Sequence, residues 1–245
     1  MDRRFSHCAI TFDGHLLDYE IDSFMTVNVE GRQLLPQNLE TVTVPGRNGD
    51  VVLGGTYPPR NIVVHFLLGD YKNTFFLEKI KSLNEILYTN KDVEFSFRDE
   101  EGYRIGRLSS IEDPPYDSNI GIGKFIIHCS DPFLYGILLT TKDKIENLRY
   151  KKYPVKIEKI EVVTNQTEKL VITNKDTGKK IILNHTFSQG NKVVLNKEKI
   201  ELNGKNIMHS LDFVNSDYQE FELFSGNEVV ITGGTATIYY REKIL

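Results

Sequence analysis

Tryptophan is absent from this 245-residue chain, and cysteine occurs only twice, at Cys8 and Cys129. Two distant cysteines make no disulfide framework, so they read as free buried thiols and stability must come from packed cores. Without tryptophan the chain lacks the side chain that most often stacks on a sugar ring. Long apolar runs are missing too: none approaches the roughly 18 residues of a membrane-spanning helix. The N-terminal MDRRFSHCAI carries positive charge but no continuous apolar stretch, so no secretory signal is read there. Excess basic charge is likewise absent. A formal net charge of −4 and a pI near 5.9 do not suit a protein that grips nucleic acid by neutralising phosphates. Neither a membrane nor sequence-specific nucleic-acid binding is expected.

The familiar catalytic signatures are also wanting. There is no G-x-S-x-G elbow, no lysine-bearing phosphate loop and no H-E-x-x-H zinc pair. Gly121-Ile122-Gly123 has no third glycine at the right spacing and no helix after it, so it is not read as a nucleotide site. His7-Cys8 and His128-Cys129 are adjacent pairs on strands. Neighbouring strand residues point to opposite faces, so neither pair forms a nucleophile–base dyad. The four could gather round zinc only if the first strand lay beside the 125–129 strand. Buried cysteine with partly exposed histidine is the favoured reading. Asp99-Glu100-Glu101 sits on one hairpin tip and reads as a solvated turn rather than facing glycosidase carboxylates. Lys142, Lys144, Arg149, Lys151 and Lys152 are interrupted by Asp143 and Glu146, and read as a solvated run. The chain is therefore expected to be no enzyme, with no metal and no cofactor.

What is present is strand pattern. Hydrophobic residues make up 40% of the chain and charged residues 26%, as in ordinary globular proteins. Residues 40–68 organise the first half: ETVTVPGRNGDVVLGGTYPPRNIVVHFLL. Ile62, Val64, Phe66 and Leu68 alternate onto one face of a strand, while Val63, His65 and Leu67 make a second, partly apolar face. A strand apolar on both sides needs a cover on both, and the second cover could be a helix or another subunit. The Gly/Pro-rich connector from Pro45 to Arg60 is too polar and too long for a simple hairpin and reads as a contact loop.

Around that stretch, residues 5–12, 15–21 and 23–30 read as strands. Asn73–Asn90 is the one convincing helix, with Phe76, Ile80, Leu83 and Leu87 on one stripe and Asn73 or Thr74 as N-cap. A hairpin follows, Val93–Phe97 returning at Tyr103–Leu108, then an Asp113–Tyr116 loop and a strand over Gly121–Cys129. Together these make an α+β unit. From Val155 onward every segment looks like strand. Asp176-Thr177-Gly178 and Asn203-Gly204 mark hairpins, and Phe221–Phe224, Glu228–Thr232 and Thr235–Tyr240 complete a β-sandwich pattern. The division expected is 1–140, a linker at 141–150, and 151–245. The fold class is mainly β: an α+β N-terminal domain with one helix, then a sandwich.

Three stretches carry a resemblance. They are V-P-G-R-N-G-D at 44–50 with its following loop, strand and amphipathic helix; FIIHCSDPFLY at 125–135; and LNGKN…LDF…FELFSGNEVVIT between 202 and 232. In this order they resemble the distal tail protein family, the tail-tip hub proteins of long-tailed phages that infect Gram-positive bacteria. The resemblance implies a galectin-like fold for the second domain. It also implies a hexameric ring of first domains around a channel for DNA passage, at the distal end of a non-contractile tail. The implied partners are the tail tube protein, the tail-tip spike or tail-associated lysin protein, and other baseplate proteins. The implied location is the virion tail tip, after synthesis in the host cytoplasm. Arg47, Asn48, Tyr57, Arg60, Val63, His65 and Leu67 are the candidate subunit-interface residues. The alternative reading is a two-domain carbohydrate-binding module for host cell-wall glycans.

Overall fold

The structure is a computed structural model that describes residues 6–112, 119–146 and 148–245. It is mainly β, as the patterning requires, and divides into two compact units, Met1–Leu134 with Leu245, and Tyr135–Ile244.

The first unit runs β1 (Ile10–Phe12), β2 (His15–Leu16), α1 (Leu17–Glu20), β3 (Met25–Glu30), β4 (Asn38–Val42), β5 (Val51–Thr56), β6 (Arg60–Gly69), α2 (Asn73–Leu87), β7 (Val93–Phe97), β8 (Arg104–Glu112) and β9 (Ile120–Cys129). Seven strands form one sheet in the order β2-β1-β7-β8-β9-β6-β3, and β4-β5 stand apart as a two-stranded ribbon. One face of β6 places Ile62, Val64, Phe66 and Leu68 in the core with Phe125 and Ile127 of β9. Phe76, Ile80, Leu83 and Leu87 of α2 join the same core, the stripe that the 3.6-residue period dictates. Gly123 lets the core close, because a Cβ there would sit 2.5 Å from the Phe66 ring.

Several expectations change. Only Ile10–Phe12 of the 5–12 run is strand, and Phe5 lies outside the described residues, as does the Asp113–Tyr116 loop. Residues 15–21 do not continue as strand, because α1 intervenes. Its buried Asp18 carboxylate accepts the Thr26 amide at 3.0 Å and hydroxyl at 2.7 Å, an arrangement that holds the turn against the start of β3. Neither Asn73 nor Thr74 caps α2, since the helix already begins at Asn73 with Lys72 in the capping position. The zinc arrangement also fails, because β7 and β8 lie between β1 and β9.

The second unit runs β10 (Leu134–Thr141), β11 (Lys156–Thr164), β12 (Thr167–Asn174), β13 (Lys180–Phe187), β14 (Lys192–Leu195), β15 (Ile200–Leu202), β16 (Lys205–Asn206), β17 (Val229–Thr232) and β18 (Gly234–Ile244). Sheets ordered β10-β18-β11-β14-β15-β16 and β13-β12-β17 share one core, in which Ile160, Val162 and Ile238 meet Leu170, Ile172 and Leu183. Asn203 and Gly204, both at positive φ, turn β15 into β16. Phe221–Phe224 is not a ladder strand. Its carbonyls serve single partners instead, with Glu222 O accepting Asn174 Nδ2 at 3.0 Å and Leu223 O accepting the Val155 amide at 2.8 Å. The 141–150 stretch does not run free as a linker. Ile145 and Leu148 are buried in the second core while their charged neighbours face outward.

Candidate assembly surface

The second face of β6 carries three of the predicted residues. Val63, His65 and Leu67 are half-buried and alternate with the core set. Strand register continues this face across the sheet in rows. Leu67 lies beside Met25 of β3 and Ile122 of β9, His65 beside Asn28 and Lys124, and Val63 beside Glu30 and Ile126. The charged side chains on this face have partners within the sheet. His65 Nε2 meets Glu30 Oε1 at 3.0 Å, and Lys124 donates to Glu112 of β8 at 2.7 Å, which raises the lysine's pKa. The apolar row ends in open side chains, with Ile122 63% exposed and Met25 40%. This is an apolar strip bordered by satisfied charge, the arrangement of an interface core with a polar rim.

The β4-β5 ribbon carries Arg47 and Asn48 in the bend between its strands, both exposed, and Tyr57 half-buried at its return. Here the sequence reading is corrected. Within the supposed contact loop, Val51–Thr56 pairs with Asn38–Val42 as a hairpin. The ribbon packs no side chain into the first core. Leu39 is 57% exposed, Val52 54% and Leu53 63%. A lone two-stranded ribbon is marginal in water, and one that displays aliphatic side chains lacks the cover that would make it stable.

Arg60 is a correction of another kind. It is 2% exposed, so it is no surface contact. Its guanidinium donates from Nη1 to Gly31 O at 2.7 Å and Gln33 O at 2.8 Å, and from Nε to Pro132 O at 3.1 Å. Met25, Leu39, Val52, Leu53, Ile120 and Ile122 are exposed apolar side chains that the sequence reading did not single out as candidates. The Val51-Val52-Leu53 triplet, set between glycines, was the available signal. Among the described residues no group of three or more His, Cys, Asp or Glu side chains could hold a metal ion.

Comparisons with known proteins fall on both units. A family described as a phage tail protein RIFT-related domain matches residues 14–128, and one described as a siphovirus-type tail component, C-terminal domain, matches residues 152–243. The distal tail protein of Bacillus phage SPP1 is 26% identical over 256 residues, covering 97% of this chain and 96% of the relative. The crystal structure of that phage's Dit protein, described as a hub of the adsorption apparatus in phages infecting Gram-positive bacteria, superimposes with a TM-score of 0.79. It does so at 23% identity over 97% of this chain and 99% of that one. A chain of the phage p2 baseplate in its activated conformation matches with a TM-score of 0.59 at 9% identity, over 91% of each chain. At these identities the two structural matches speak for the fold.

Proposed function

The chain belongs to the distal tail protein family of siphophages and is a structural component of the virion tail, and from that premise we propose that it assembles as a hexameric hub ring. The first units pack side by side around a channel wide enough for DNA. The ring joins the tail tube protein to the tail-tip spike or tail-associated lysin protein, and the second units offer docking surface to other baseplate proteins. The role is geometric and involves no chemical step.

The observation that carries this reading is the exposed β4-β5 ribbon. A heterologous contact repeated round a closed ring covers, on every copy, apolar surface that a free monomer leaves in water. The half-buried face of β6, with Leu67 between Met25 and Ile122, is a surface of fitting chemistry for a neighbour's ribbon. The ribbon shows Leu39, Val52 and Leu53, and the strip shows matching aliphatic groups.

The test is light scattering, with negative-stain images, on the whole chain and on a variant whose residues 38–56 are replaced by a short Gly-Ser connection. The reading expects a closed ring from the whole chain and a folded monomer from the variant. A ring of unchanged size from the ribbonless variant would overturn the assignment.

A further inference from the structure

The ribbon leaves the sheet after β3 and returns at β6, so its outgoing foot lies at residues 31–37 and its returning foot at residues 57–60. Such an excursion has no reason of its own to point in one direction. Two features fix its outgoing foot. Gly31 adopts φ +84, and a Cβ there would lie 2.1 Å from the Asn61 carbonyl oxygen, so the turn out of β3 is pressed against the start of β6. Arg32 then forms a fork to Asp99, Nη1 to Oδ1 at 2.6 Å and Nη2 to Oδ2 at 2.9 Å, with its guanidinium 4.8 Å over the Phe97 ring.

Arg60 links the two feet. It stands at the return, immediately after Pro58-Pro59, and its Nη1 holds the carbonyls of Gly31 and Gln33 on the way out. Its Nε reaches the carbonyl of Pro132, which an Asx turn orients: Asp131 Oδ1 accepts the Phe133 amide at 3.1 Å. The arrangement is costly. Arg60 and Arg104 are both buried, and among the described residues Arg60 Nη2 and Arg104 Nε find no hydrogen-bond partner, while the acceptors that Arg60 does hold are backbone carbonyls. Burial and the Arg104 charge both lower its pKa. A fold seeking stability alone gains little from a buried guanidinium bound only to neutral acceptors. What a planar fork offers over an aliphatic side chain is direction, because it holds several carbonyls in one geometry.

We propose that Arg60 is a positioning residue that clasps the outgoing and returning feet of the β4-β5 ribbon and so sets the direction in which the ribbon is presented to the neighbouring subunit. The inference rests on the ring reading for its consequence, but not for its geometry, which lies within one chain. Arg60 then governs assembly without touching a neighbour, and Arg32–Asp99 acts with it as the outer half of the clasp.

The experiment measures ribbon direction in the free monomer. Spin labels are attached at N48C in the ribbon bend and E85C on α2, in a C8S background, and the interlabel distance distribution is recorded at dilution. A second pair, E94C and E85C, reports on the sheet and helix alone. R60K and R60M are compared with the parent. The expected result is a distribution for the ribbon pair that widens at least about twofold in both variants while the core pair is unchanged. Light scattering on the same variants should show the ring forming only at higher concentration. If R60M does not fold, R60K, which keeps the charge but not the fork, still decides. A ribbon-pair distribution as narrow as the parent's in R60K, or equal widening of both pairs, overturns the proposal. A ribbon pair that widens in R60K relative to the parent, when the parent itself never forms a ring, would leave the clasp standing and sink the ring reading instead.

Discussion

Charge placed on the two faces of β6 should separate folding from assembly. Val64 is fully buried beside Val29 of β3 and Phe125 of β9. Val64→Asp removes a buried aliphatic side chain, a loss of about 1.5–3 kcal/mol. It also leaves a carboxylate without a partner, and the sum reaches about 5 kcal/mol or more. A domain near the lower end of the usual range of about 5–15 kcal/mol cannot absorb that and stay folded under ordinary conditions. For the opposite face Leu67 is a cleaner probe than Val63, because Val63 lies directly across from Glu30 and a new carboxylate there would meet an existing one. Leu67→Asp sits half-exposed between Met25 and Ile122, can keep its charge in water, and should cost the monomer about 1 kcal/mol or less. In a ring, each copy would bury that carboxylate in an apolar seam. The assay is urea unfolding followed by circular dichroism, since no tryptophan is available, together with light scattering. Expected are an unfolded or aggregated Val64→Asp and a folded, smaller Leu67→Asp. Unfolding of both to the same degree would mean that both faces are covered within one chain. An intact ring from Leu67→Asp would remove the β6 face from the assembly surface.

Three further outcomes follow from particular groups. Hydrogen bonding to Arg32 holds the Asp99 carboxyl below its usual range, so the stability this pair contributes is present at neutral pH and lost as pH falls through that lowered value; a carboxyl titration by NMR, with Asp99→Asn as the control that flattens acid sensitivity, checks it. Burial pushes the Cys129 thiol up to about 12, so a thiol reagent should label Cys8 in the folded protein and reach Cys129 only on unfolding, and rapid native labelling of Cys129 would contradict the packing. We propose that a chain divided between Leu134 and Tyr135 gives two separately folding pieces, whereas a cut inside 141–150 strips β10 from β18 and leaves the second piece measurably less stable by thermal melting.

Legibility in the sequence tracks periodicity. The core faces of β6 and α2 could be read from Ile62 to Leu68 and from Phe76 to Leu87 because a single burial direction imposes a single period. The two hairpins marked by Gly178 and Asn203-Gly204 were legible because a positive φ has few residue solutions. Periodicity is silent where a segment is not buried by its own unit. Along β4 and β5 nearly every position faces solvent, so nothing in their alternation marks an inside, and the hairpin hid within what reads as a loop. Conversely, Ile145 and Leu148 are two apolar residues in a charged run, too few to declare a period, yet both are buried.

Arg60 shows the other limit. In sequence it follows two prolines in a polar connector, the setting of an exposed contact residue, and its charge argues for the surface. What puts it inside is the set of carbonyls it meets, from Gly31, Gln33 and Pro132, which come from positions 29, 27 and 72 residues away. No local pattern encodes such a convergence. Yet the pieces belong to stretches that can be singled out by eye: the end of the V-P-G-R-N-G-D connector and the Asp-Pro-Phe turn after β9. Separately, each looks like a turn with unusual composition. In the folded unit the Pro132 carbonyl of the turn accepts from the guanidinium at the end of the connector. The composition of both is thus explained by one requirement, that a ribbon with no core of its own leave the domain at a fixed angle.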